Sequence, residues 1–462
     1  MNPEFQRNIW LEFSVRRAIF IAVALGLVFL LGNSTGSNFL LRNSAEYIFY
    51  GIVVFWGSRN AAQAVVGEIR ERTWDGQRLS SLSPFEMTWG KLFGATSYIW
   101  FGGAICLAVF LSDTLVQDGP FQTIADAAYF LSIGFMSQAV AFFASLLSVR
   151  RRQSQSRLDV VLYQVAGLIA AGFVWWAWKF ITTDDAAGGI FNIEEIRWWG
   201  MSIDTASFYL LSLLVFLAWA FVGCYRLMRL ELSVQNTPIV WAGFVAFVVF
   251  YFAGQGGVEG IDFFGIEIAG VVGPLAIAMF TSAVLTYAAA FAEPKDRVLY
   301  RWLVESLTTK RSRSTWHRLQ AWMVSYIVTI AIGIVLAVVL TANPPDVFGY
   351  RALNELLSAD TVSASLGFLT RDIAIILFFA LAQNARRGEF PAIITLSLLY
   401  FVAPRLIGSV ALFWPAAPGD GGVGPILAWG EAALAWFFVY QRARKSVFGI
   451  ELLPTGAQPE RK

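Results

Sequence analysis

Residues 320–342 read QAWMVSYIVTIAIGIVLAVVLTA, and the run from Ala321 to Ala342 contains no charged side chain. As a helix rising about 1.5 Å per residue it spans roughly 33 Å, close to the hydrocarbon thickness of a bilayer. Within such a layer backbone groups must bond to one another, so a helix is the fitting conformation. Working outward, comparable runs lie near 17–32, 45–66, 92–112, 122–148, 159–181, 205–225, 238–254, 267–291, 366–384, 391–412 and 423–441. With 320–342 they predict an all-α, polytopic transmembrane helical bundle of about 12 spans. Two runs carry unusual polar residues: 45–66 holds Arg59 and Gln63, and 391–412 holds Arg405.

Composition agrees. Of 462 residues 57% are hydrophobic, against about 45–50% in soluble domains, and 14% are charged, against roughly 25%. The net charge of +2 gives no bulk attraction to nucleic acid, so none is expected as a partner, and the lipid bilayer is the expected surrounding. Cys106 and Cys224 lie in or beside apolar runs and form no disulfide framework. The single histidine, His317, sits among Arg311, Arg313 and Arg318, so no metal site is expected. The N-terminus runs into the first span without a small-residue cleavage site, so no removable signal is expected.

Charge placement tests the span count. With a cytoplasmic N-terminus, the inner segments hold Arg16 and Arg17, then Arg70, Arg72, Arg78 and Lys91, then Arg150–Arg152 and Arg157. Further inner segments hold Arg226 and Arg229, the group from Lys295 to Arg318, Arg386 and Arg387, and Arg442, Arg444 and Lys445. Outer loops hold few cations beyond Arg42, Lys179, Arg197 and Arg351, beside Asp113, Asp118, Asp184, Asp185, Glu194 and Glu195. Both termini are therefore expected in the cytoplasm. Trp10, Trp198, Trp199 and Trp302 suit interfacial belts. The two longest outer loops, 182–204 and 343–365, are expected to carry short amphipathic helices at Phe191–Trp199 and Tyr350–Leu357.

The halves resemble one another in order. Trp74…Leu79-Ser80-Ser81 aligns with Trp302…Leu307-Thr308-Thr309, and Thr88-Trp89 with Thr315-Trp316. Leu217-Ala218-Trp219 before Arg226 aligns with Leu434-Ala435-Trp436 before Arg442. Two parallel pseudo-repeats of 6 spans follow, with an even number of spans in each. The expected organisation is an N-terminal cytoplasmic amphipathic segment at 1–16, a first half at 17–230 and a second at 231–447. A short cytoplasmic tail occupies 448–462.

The segment after the second span, 68–92, reads EIRERTWDGQRLSSLSPFEMTWGKL. Thr73 suits the N-cap of a short helix containing Trp74, Arg78, Leu79 and Leu82. Ser83, Pro84 and Glu86 form a second start signal: an N-cap, a proline at the first helical position and the partner of a capping box. That second helix is expected to run directly into the third span. The arrangement suits a lever receiving force from a cytoplasmic partner; the plainer reading is an interfacial helix lying on anionic lipid.

This pattern, E-x-x-E-x-T-W-D-x-x-R-L-x-x-L-S-P-x-E-x-x-x-G-K-L, resembles the signature of ABC-2-type permeases, the membrane subunits of ATP-binding-cassette exporters. The resemblance covers about 25 residues and places Glu68, Glu71, Thr73, Trp74, Leu79, Leu82, Ser83, Pro84, Glu86, Gly90, Lys91 and Leu92 on matching positions. It implies a coupling helix, including Arg78, that docks on a separate ATPase subunit present in two copies. It also implies a bacterial cytoplasmic (inner) membrane location. The chain departs from the pattern in holding both six-span units. Its second copy, 296–319, keeps Trp302, Leu307 and Trp316 but has Lys310, Arg311, Ser312 and Arg313 in place of the Ser-Pro-x-Glu corner.

No G-x-x-x-x-G-K-[ST] stretch occurs, so the chain is expected to bind no cofactor directly and to be no enzyme itself, with ATP used by the partner. An ion-gradient-driven secondary transporter is the alternative, resting on Arg405 and Glu431. These lie at similar depth in neighbouring spans and suit an ion pair, either lining a route or clamping two helices. An integral membrane enzyme has less support, since the acids of the 182–204 loop have no histidine among them. Arg371-Asp372 is expected to reach the interface near its helix end. Gln138 and Gln164 either line a cavity or bond one another.

Overall fold

The computed structural model describes residues 2–34, 38–150, 157–182, 195–234, 236–255, 261–262, 267–268, 270–293, 295, 297–308, 319–344, 357–382, 389–407 and 423–446. Nine helices among them are long and apolar enough to cross a membrane. The chain is an all-α polytopic bundle whose only described strands form two small two-stranded ribbons. Large apolar side chains face outward from the spans, among them Phe20, Leu31, Phe173, Phe280 and Leu406. In water that surface would be prohibitive; against lipid it costs nothing. The chain divides into two compact units, 1–196 with 203–236, and 197–202 with 237–462.

In the first unit α1 (Pro3–Glu12) precedes the spanning helix α2 (Val15–Ser34). The 45–66 run lies within a longer helical rod. It consists of α3 (Asn38–Phe49), a π-helical turn at Tyr50–Trp56, and α4 (Gly57–Arg70). Widening the helix to i→i+5 bonding displaces backbone carbonyls from their regular partners. Two glutamines answer this: Gln138 Nε2 donates to Val53 O at 3.1 Å and Gln164 Nε2 to Phe55 O at 2.9 Å. Trp100 Nε1 completes Gln138 by donating to its Oε1 at 2.9 Å. The glutamines therefore bond the rod rather than each other. Gly57 makes room for this, because a Cβ there would collide with the Gln138 amide.

The corner helices α5 (Trp74–Arg78) and α6 (Pro84–Gly94) follow, then the spans α7 (Ser97–Gln117), α8 (Gly119–Arg150), α9 (Arg157–Thr182) and α10 (Thr205–Glu231). A turn at Ala95-Thr96 separates α6 from α7, so the corner does not continue unbroken into the third span. Small residues permit close helix packing: Gly102 abuts Ile21, and Gly134 abuts Val53 and Trp100.

The helix expected at Phe191–Trp199 is replaced, where described, by a hairpin of β1 (Glu195–Trp198) and β2 (Met201–Asp204). Trp199 at φ 49 and Gly200 at φ 77 supply the two left-handed positions of a mirror-image two-residue turn. In the second unit the hairpin tip docks on α11 (Ile239–Gln255): the Trp199 N–H donates to Gly254 O and Trp198 Nε1 to Tyr251 O, each at 2.9 Å. The helix expected at Tyr350–Leu357 lies outside the described residues except for Leu357.

The second unit continues through the short strands β3 (Ile261–Asp262) and β4 (Glu267–Ile268), α12 (Val272–Ala292), α13 (Arg297–Thr308), α14 (Ala321–Ala342) and α15 (Ala359–Ala380). Then come α16 (Glu389–Ser397), a π turn at Leu398–Val402, α17 (Ala403–Ile407) and α18 (Val423–Ser446). Pro404 has no N–H to give the preceding turn, a sufficient cause for the widened helix before it.

Candidate functional site

The 68–92 segment is built from its caps. Helix α4 ends in a Schellman motif: the Thr73 N–H donates to Glu68 O at 2.9 Å and the Arg72 N–H to Ile69 O at 3.1 Å. Arg72 takes the left-handed position at φ 61. Thr73 precedes α5, but its hydroxyl donates back to Glu68 O at 3.2 Å and makes no side-chain cap. Helix α5 ends at Arg78, so Leu79 and Leu82 fall beyond it, contrary to the longer helix expected from sequence. Gly76 and the serines at 80, 81 and 83 favour turns, which explains the early stop.

The second start signal forms as read. Ser83 Oγ accepts from the Glu86 N–H at 3.2 Å, while the Ser83 N–H donates to Glu86 Oε2 at 2.9 Å. These bonds from Ser83 hold the Glu86 carboxyl below the usual carboxylate range. Pro84 occupies the first helical position.

What sequence reasoning missed is the partner of this corner. Helix α1 lies along α6, closely enough that a Cβ on Gly90 would stand 2.6 Å from Glu4 Cβ and 2.8 Å from the Phe5 nitrogen. Asn2 Nδ2 donates to Glu86 O at 2.7 Å, and Asn8 Nδ2 to Gly90 O at 3.2 Å. Between the helices Lys91, only 1% exposed, contacts Glu4 at 3.0 Å, Glu68 at closer range and Gln77 Oε1 at 2.6 Å. Its ammonium also sits 5.2 Å from the centre of the buried Trp74 ring. Arg7 bonds Glu4 at 2.8 Å and also bonds Glu68, so two cations meet two carboxylates. Burial acts to raise the Glu4 carboxyl, but Lys91 and Arg7 outweigh it and hold it below its ordinary value. The available signal was Asn2-Pro3, an N-cap followed by proline, at the head of α1.

A third support comes from the end of α10. Trp74 Nε1 donates to Glu231 Oε1 at 3.4 Å, and Arg78 lies 3.8 Å from the same oxygen. Thus Glu68 and Trp74 are structural members of the corner, and Leu82 packs half-buried on its apolar core. The exposed residues of the corner include Glu71, Thr73, Asp75, Arg78, Leu79, Ser80 and Phe85, with Leu79 89% and Phe85 55% exposed.

In the second half Trp302 and Leu307 lie in α13, and Trp302 is exposed. Lys310 and Arg311 lie outside the described residues. The Arg405–Glu431 pair expected from sequence does not form. Arg405 is exposed, while Glu431 Oε2 accepts from Arg371 Nη1 at 2.6 Å. Arg371 and Asp372 sit mid-helix and buried rather than at an interface, because α15 begins at Ala359, seven residues before the apolar run. Arg371 Nε donates to Asp372 Oδ1 at 2.9 Å, and Asp372 Oδ2 accepts from Tyr287 at 2.7 Å and Tyr400 at 2.6 Å. Tyr400 lies in the π turn at Leu398–Val402.

The arrangement can do two things chemically: present a braced apolar knob beside mixed charges, and hold a charged triad within a membrane helix bundle. No family model matches the chain, and no curated protein or solved structure matches it.

Proposed function

We propose that this membrane protein is the permease subunit of an ATP-driven exporter, worked by a separate ATPase that docks on the tip of the 68–92 corner. The observation that carries the reading is the contrast within that corner. Trp74, Glu68 and Lys91 anchor it to α1, α6 and α10, while Leu79 stands almost fully exposed at the tip of the braced turn. An exposed leucine on rigid backbone suits a partner's apolar groove, since little order is lost on docking. Two ATPase copies closing on ATP would pull on this corner and on its counterpart around 302–309, rocking two six-span halves. The twelve-span fused arrangement, cytoplasmic termini and a bacterial inner-membrane setting belong to the same proposal.

The test is a mild-detergent purification of the intact protein and of Leu79→Asp. Leu79 makes little use of the fold, so the variant should stay within about 0.5 kcal/mol of the parent's stability. It should lose the co-purifying ATPase and ATP-dependent transport together. Normal co-purification and transport by this variant would refute the docking assignment. A second reading has its own observation: the Arg371–Asp372–Glu431 triad suits gradient-driven transport, and it gains if no ATPase accompanies the intact protein.

A further inference from the structure

The first unit contains a cavity of about 790 Å³ that the corner does not use. It lies at the opposite end of the rod: Glu46, in its lining, is 22 residues before Glu68, about 33 Å along a helix. Its volume falls within the roughly 300–1,000 Å³ of small-molecule sites. Five charged side chains line it, two cationic and three acidic. Lys179 contacts Glu46 at 3.0 Å, while Arg42 is shared between two acids, contacting Asp118 at 2.9 Å and pairing more loosely with Asp126 at 3.9 Å. Asp126 is 5% exposed, receives one bond from Gln122 Nε2 at 3.1 Å, and lies beyond hydrogen-bonding range of Arg42. Behind it three lining aromatics pack on one another and are each under 5% exposed: Tyr129 stacks on Trp178 with centroids 5.0 Å apart, and Phe130 meets Tyr129 edge-on at 5.1 Å.

We infer that this cavity binds a monovalent organic cation with an aromatic or apolar body, its charge set against Asp126 and its body against Tyr129, Trp178 and Phe130. Anions are disfavoured because both basic groups are engaged and the surplus charge is negative. Inorganic cations leave the lining aromatics unused, whereas an aryl cation uses both features, the rings attracting positive charge as well as apolar surface. The inference is independent of ATPase docking and needs no partner protein.

The probe is a charge-matched pair of equal shape: radiolabelled tetraphenylphosphonium and tetraphenylborate, titrated against the purified full-length protein in nanodiscs, with empty nanodiscs subtracted. Saturable binding of the phosphonium at one site per chain, with no saturable binding of the borate, is expected. Asp126→Asn should weaken phosphonium binding at least tenfold, and Trp178→Leu should weaken it several-fold while leaving the preference for positive charge. Equal saturable binding of both ions, or none of either, overturns the inference. So does unchanged phosphonium affinity in Asp126→Asn. The comparison of the two ions on the parent protein stands even where a variant fails to fold.

Discussion

Each unit buries a cation between two carboxylates, and the two clusters are balanced differently. In the first, Lys91 lies between Glu4 and Glu68, and Arg7 supplies a second positive charge to both acids. In the second, Arg371 is the one cation among the described residues paired with Asp372 and Glu431, with tyrosine hydroxyls completing Asp372. The neutral cluster ties segments more than 60 residues apart and lies outside the spans, where water reaches its rim at Arg7 and Glu68. The outnumbered cluster lies within spanning helices, with Arg371 and Asp372 buried and Glu431 at its partly exposed rim. Hence the same motif acts as a fastener in one place and as a guarded charge in the other.

Breaking the second cluster should have the larger effect. Arg371→Leu strands two carboxylates among apolar helices and should cost about 3–5 kcal/mol, seen as loss of monodisperse protein or a large fall in Tm in detergent. Replacing Arg371, Asp372 and Glu431 together by leucine should recover much of that loss. Lys91→Met should cost about 2–3 kcal/mol, less because Arg7 still holds both acids. If Lys91→Met proves the more damaging, the distinction between the clusters fails.

Gly90→Ala tests the fastener by shape rather than charge. The new methyl meets Glu4 and the Phe5 backbone, and should cost about 1–3 kcal/mol while opening the Arg7 peptide bond to trypsin. The smallest effect is that of pH. Because the Glu4 pKa is lowered in the folded protein, its contribution is complete above the 4.5 of a free glutamate and is lost as pH falls through the lower folded value. A nitroxide on Trp10→Cys should therefore gain mobility as the pH drops below about 4.5, and Glu4→Gln should flatten that response. Native Cys106 and Cys224 are buried and should stay unlabelled.

Local signals were legible in the sequence; partner choice was not. Ser83, Pro84 and Glu86 specify their own cap within four residues, and the structure forms it. The apolar runs announce the membrane bundle for the same reason: each span is dictated by its own composition. Hydropathy misplaces the head of α15, because Ala359–Ser365 is mostly small and polar, and so puts Arg371 too near an end. Ser358, which caps that helix by accepting from the Thr361 N–H at 3.1 Å, was the signal that corrects it. The Glu431 partner follows from that depth and was lost with it. The burial of Lys91 by Glu4 joins residues 87 positions apart, and no local pattern encodes such a contact.

The π turn at Tyr50–Trp56 sits midway along a single rod that carries Glu46 near one end and Glu68 near the other. A turn of this kind stores one surplus residue, and each residue is worth about 100° of azimuth around a helix. Were the surplus to migrate along the rod, the segment it crossed would screw round by that angle while both ends kept their hydrogen bonds. Gln138 and Gln164, bonded to the carbonyls of Val53 and Phe55, would have to let go for that screw to turn.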